Sequence, residues 1–115
     1  MKDLKEVLDK VATIINSHHK GEYSDINTLL EASRQLSTAL YYLANERADY
    51  HKKYQQIVYD ETREGLAVNK AENQAHVDVP EMYLLRQIMP AANTIIIEMG
   101  REVKQLQHEQ NQNND

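Results

Sequence analysis

The chain has no cysteine, tryptophan or phenylalanine, and only three glycines and two prolines in 115 residues. Without cysteine there is no disulfide framework, no thiolate zinc site and no cysteine nucleophile, a composition suited to a reducing cytoplasm. So little Gly and Pro leaves a β-rich fold short of turn residues, whereas long helices need none inside them. No apolar run approaches the roughly 20 residues that span a bilayer. The N-terminal Met1-Lys2-Asp3-Leu4-Lys5-Glu6 also lacks the apolar core of a signal peptide. A cytoplasmic protein without membrane contact is expected. The formal charge of −5 argues against a general nucleic-acid binder that covers phosphates with Lys and Arg, and leaves only a local basic face open. The length fits one domain.

What the chain has is helical periodicity. From Met82 onward, Leu85, Met89, Ala92, Ile96, Met99, Val103 and Leu106 recur at alternating spacings of three and four, the stripe that a helix buries against another helix. This heptad seam is the candidate oligomer or partner interface, through Met82, Leu85, Met89, Ile96, Met99, Val103 and Leu106. Met in such a seam either adapts to several partners or simply fills a core.

Four helices are predicted, over about 3–17, 25–64, 70–77 and 81–108. The first carries Leu4, Val7, Leu8, Val11, Ile14 and Ile15 on one face, with Gly21 placed for a left-handed cap. Ser24 or Asp25 caps the second, whose 40 or so residues at about 1.5 Å each make a rod of roughly 60 Å. Its heptad row, Leu29, Leu36, Leu43, Tyr50 and Ile57, is joined by Leu30, Leu40, Tyr54 and Val58, but Ser33, Arg47 and Glu61 occupy the alternate seam. So long a helix exceeds what a small domain covers, and part of it is expected to meet a second subunit. Gly65 ends the rod, and Asn69 with Glu72 reads as a capping box. Pro80 suits the first turn of the last helix. Pro90, inside the seam, predicts a kink between Arg86 and Pro90 or a fresh helix start. Residues 109–115 read as a disordered polar tail. The expectation is all-α: an elongated helical hairpin or bundle over residues 1–108, with coiled-coil-like packing, oligomeric.

Chemistry is sparse. No two of His18, His19, His51, His76 and His108 stand three or four apart, the spacing of a two-histidine metal site on a helix, so surface and capping roles are favoured over metal binding. Glu46 with Asp49, Asp60 with Glu64, and Glu6 with Asp9 could hold Mg²⁺ in a nucleotide hydrolase. Their interleaving with Lys52, Lys53 and Arg63 reads instead as a solvated, mutually paired surface. No nucleophile motif, phosphate loop or dinucleotide fingerprint is present, so neither catalytic residue nor cofactor is assigned. Tyr50 and Tyr54 beside Lys52 and Lys53 invite single-strand stacking, but four-residue spacing places the tyrosines on the packed face. Arg47, Lys52, Lys53, Arg63 and Lys70 remain candidate nucleic-acid contacts.

The segment Tyr41-Tyr42-Leu43-Ala44-Asn45-Glu46-Arg47-Ala48-Asp49-Tyr50, then Lys53-Tyr54, then Gly65-Leu66-Ala67-Val68-Asn69-Lys70-Ala71-Glu72 and the terminal heptad helix, resembles small helical proteins of the early regions of tailed bacteriophages and prophages. The resemblance covers about residues 36–108, and Pro90 departs from it. It implies a non-enzymatic accessory factor in the host cytoplasm, a homo-oligomer binding a protein or protein–nucleic acid complex in DNA replication, recombination or host-defence evasion. Two other readings stand beside it. The net charge suits an acidic inhibitor of a host nucleic-acid-binding or defence enzyme, and the lysines suit a weak single-strand binder.

Overall fold

The computed structural model describes residues 4–113, and among these the chain is all-helical, with four helices and no strand. The helices are α1 (Leu4–His19), α2 (Ile26–Arg63), α3 (Val68–Asp78) and α4 (Pro80–Asn113). The molecule measures 72 × 27 × 21 Å with a radius of gyration of 19.3 Å. A compact chain of this length has a radius nearer 13 Å. The elongation follows from α2 and α4, which lie side by side as the most extensive helix pair.

Sequence-local chemistry explains most helix ends. The Asp25 side chain accepts a hydrogen bond from the Thr28 backbone N–H at 2.8 Å, capping α2. Gly21 at φ +71° and Gly65 at φ +103° close α1 and α2 in the same way. In each the glycine N–H reaches back three residues, Gly21 to the His18 carbonyl and Gly65 to that of Thr62. The next N–H reaches back five, from Glu22 to Ser17 and from Leu66 to Glu61, which is the Schellman pattern.

Three boundaries depart from the sequence reading. The Asn69–Glu72 capping box is absent. Because α3 already begins at Val68, Asn69 falls inside the first turn and its side chain accepts from the Lys70 N–H, while Ala67 occupies the cap position without a side-chain bond. Of the two outcomes expected at Pro90, the fresh helix start is absent, since α4 runs continuously from Pro80. Pro90 is exposed, so the partnerless Arg86 carbonyl that its missing N–H creates lies on an exposed face. Finally, α4 continues past 108 to Asn113, since no Gly or Pro follows Gly100 and the His108 and Gln112 side chains pair one turn apart at 3.1 Å. The expected helix start at Asp3 and the last two tail residues lie outside the described residues.

The core occupies the half of the rod where α1 lies against α2 and α4. Val7, Val11 and Ile14 of α1 meet Leu29, Leu36 and Leu43 of α2 and Leu85, Ala92, Ile95, Met99 and Val103 of α4. A side chain as fully buried as Leu36 contributes about 1.5–3 kcal/mol. At the other end Ala71, Ala75, Val79 and Met82 are buried where α3 closes on the pair, and the small side chains of Ala71 and Ala75 let α3 approach closely. Beyond Leu43, no side chain of α2 is fully buried.

Candidate interaction surface

The sides of the α2–α4 pair are covered unevenly. Leu4 and Leu8 of α1 share a groove with Tyr50 of α2 and with Leu84 and Ile88 of α4, while His18, at the other end of α1, reaches Glu98 and Glu102 of α4. Thus α1 runs antiparallel to α2 and alongside α4, covering only the half nearer the start of α2 (the proximal half). In the distal half α3 packs on α2, where Val58 and Thr62 line the groove toward it, while Tyr42 lines the groove toward α1. Among the described residues neither α1 nor α3 runs the full length of the α2–α4 pair, so each covers only part of it.

The predicted interface seam divides accordingly. Met82, Leu85 and Met99 have no accessible surface and Val103 is nearly covered, so these four are enclosed by their own chain. Met89, Ile96 and Leu106 are half-buried at the edge of the core. Ile95 is buried where a strict heptad assigns Ile96, in the cluster with Val7, Val11 and Ile14 of α1. The neighbouring Ile97 and the earlier Leu84 are each 49% exposed, and Leu84 lines one groove with Leu4 and Leu8 of α1 and another with His76 of α3.

All five predicted nucleic-acid contacts are exposed but do not converge. Arg47 and Lys53, six residues apart on α2, point about 120° from one another. Lys53 stands 5.1 Å over the Tyr50 ring. Lys52 and Arg63 share a stripe, and Lys70 sits on α3. Tyr50 and Tyr54 are half-buried, and Tyr50 packs on the core.

Two constellations were not legible in the sequence. Tyr54 is the centre of one: its hydroxyl is 3.4 Å from His76 Nε2, its ring lies 5.0 Å from that imidazole, and the Arg86 guanidinium stands 5.6 Å from the ring centre. One tyrosine thereby joins α2, α3 and α4. In the other, His18 Nε2 lies 2.7 Å from Glu102 Oε1, while Nδ1, buried and without a hydrogen bond, is 4.0 Å from Glu98 Oε2. The Glu98–Glu102 spacing of four, one helical turn, is the only local signal for it. Elsewhere Arg34, by Nε and Nη2, donates to Glu31 at 2.7–3.1 Å. These bonds first, and that from Gln35 second, lower the pKa of the exposed Glu31 carboxyl. Among the described residues no three His, Asp or Glu side chains gather closely enough to hold a metal ion, and no helix is long and apolar enough to cross a membrane.

The chain matches no protein-family model, no curated protein and no solved structure.

Proposed function

We propose that this chain is a non-enzymatic helical interaction protein that self-associates and binds a protein or protein–nucleic acid complex. The observation that carries the reading is a 72 Å rod on which Leu84 and Ile97 stay half-exposed on helix faces whose neighbouring positions are buried. Apolar side chains grouped along a helix-pair groove mark contact surfaces for further helices. The resemblance to phage early-region proteins extends the proposal to DNA replication or recombination in an infected cell.

The partner arm is tested by capture from cells expressing the protein, with wild type compared against the double variant Leu84→Lys/Ile97→Glu. A specific partner retained by wild type and lost by the variant is expected. Equal recovery on both overturns the role of these two side chains in partner binding.

One observation favours a second reading, an acidic inhibitor of a nucleic-acid-binding enzyme. The distal end concentrates Asp60, Glu61, Glu64, Glu72, Asp78 and Glu81 against Arg63, Lys70 and Arg86. Such an end would occupy a basic groove, and the target enzyme would be displaced from DNA in proportion to added protein. Unchanged DNA binding at saturating protein would remove this reading for any enzyme so tested.

A further inference from the structure

The carboxylates and the cations of α4 stand on different faces. Glu81 lines the groove with Leu4 and Leu8 of α1, Glu98 and Glu102 reach His18, and Glu109 follows Glu102 at a spacing of seven. All four therefore lie on the side of α4 that α1 takes. Arg86, Arg101 and Lys104 are exposed, and at 100° per residue they fall within about 40° of Ile97, whereas the carboxylates stand about 100–160° from it. A specific contact maintains this separation. Glu98, three residues before Arg101 and so placed to neutralise it, is drawn instead toward His18 Nδ1, at 4.0 Å. Among the described residues neither Arg101 nor Lys104 makes an ion pair, in a chain that carries 18 acidic side chains.

These cations frame apolar surface. From Arg86 to Lys104, Pro90, Asn93, Ile97 and Gly100 continue the row at alternating spacings of four and three, and every residue of it is exposed. This second stripe of α4 faces away from the stripe of Leu85, Ala92, Met99 and Val103 buried in the core. Ile97 stands near its middle, with the half-buried Met89 and Ile96 beside it. Nothing in this chain calls for a glycine at position 100, since a Cβ there would meet nothing within 4 Å. What the glycine provides is room for a second helix to approach closely. The row is about 27 Å long, enough for about five turns of a docked helix.

We propose that this outer face of α4 binds an acidic amphipathic helix of another protein, with an apolar side chain seated on Ile97 and carboxylates opposite Arg86, Arg101 and Lys104. This names the chemistry of the partner in the reading above and rests on that reading. The stripe suits a helix better than a nucleic-acid backbone. Ile97 and Pro90 occupy its central part, where phosphates gain nothing from apolar contact, and three cations on a chain of net charge −5 give a long polyanion little to hold. A short acidic helix reads only the face it covers, because charges farther away than a Debye length of about 10 Å are screened. Ile97 also serves self-association, so the helix and a second copy compete for it.

The test is a titration read by fluorescence anisotropy, in which the full chain is added to a labelled helical peptide of about 21 residues with leucines every three or four positions and glutamates flanking them. A second peptide carries lysine at each glutamate position, and a single-stranded oligonucleotide is the third probe. Wild type is expected to bind the acidic peptide, more weakly as salt rises, and to leave the basic one free. Arg101→Glu/Lys104→Glu, at exposed sites, is expected to keep the helical circular dichroism and to lower that affinity by about tenfold or more, whereas Lys52→Glu/Lys53→Glu on α2 leaves it unchanged. Should the first variant lose its circular dichroism, Arg101→Gln/Lys104→Gln replaces it and must lower the affinity. A wild type that ignores the acidic peptide, or a variant that binds it as well as wild type does, overturns the inference. So does an oligonucleotide bound in place of the peptide and released by Arg101→Glu/Lys104→Glu, which would make the stripe a nucleic-acid face. A partner captured by wild type in the experiment above and retained by this variant overturns the acidic docking and leaves the interaction reading standing. A wild type that neither binds the peptide nor captures a partner overturns both.

Discussion

His18 Nε2 lies 2.7 Å from Glu102 Oε1 across 84 positions of sequence, a side-chain bond between α1 and α4. The imidazole side chain is 10% exposed and Glu102 41%, so the bond is partly shielded from water. It fixes the end of α1 beside α4, and with it the side of the pair that α1 covers.

Replacing His18 by Ala removes this bond and leaves Glu98 and Glu102 facing each other one turn apart. A bond to a charged group contributes about 1.5–3 kcal/mol, less where the acceptor is wetted, so a loss of about 1–2 kcal/mol in urea unfolding is expected. A variant as stable as wild type would show that apolar packing of Val7, Val11 and Ile14 alone positions α1.

Met99 and Ile97 separate core from surface within one turn of helix. Met99→Asp buries a carboxylate at a site with no accessible surface and no partner, and unfolding is expected. Ile97→Asp, at a half-exposed site, leaves the helical circular dichroism intact and removes self-association. Retention of fold by Met99→Asp would contradict the enclosed core.

Pro90 costs α4 one backbone hydrogen bond and crowds the preceding turn, a penalty of about 3 kcal/mol in an unrelieved helix. Its exposure makes Pro90→Ala free of packing loss, and a gain of roughly 1–3 kcal/mol is expected in thermal unfolding. An unchanged midpoint would mean that α4 has already relaxed around the proline.

The Glu31 carboxyl is held below its ordinary range, chiefly by the hydrogen bonds from Arg34 and then by that from Gln35. A lowered carboxyl pKa in the folded chain gives a stabilisation present above the ordinary carboxylate range and lost as the pH falls through the lowered value. Carboxyl titration by NMR should show Glu31 titrating below the ordinary glutamate range, and Arg34→Ala should return it upward. No movement in that variant would contradict the assignment.

Much of this fold is written in local pattern. The i, i+3, i+4 rows of α1, the Asp25 cap and the glycines at 21 and 65 each act within a few residues, and the sequence reading finds them. The seam from Met82 to Leu106 is legible as a buried stripe, but its partner is not: the same spacing serves a helix of this chain or of another. Here Leu85, Met99 and Val103 meet α1 and α2, and only the edge residues Met89, Ile96 and Leu106 remain half-covered. Which parts of the α2–α4 pair stay uncovered was hidden for a further reason. It depends on where α1 stops and where α3 packs, relations between helices that no window of sequence contains. Tyr54 with His76, and His18 with Glu102, are long-range pairs of the same kind.

The most direct measurement is the solution mass of wild type by light scattering across a dilution series. The account predicts a mass that rises above 13.4 kDa with concentration and falls back on dilution. A mass fixed at 13.4 kDa at every concentration would contradict self-association.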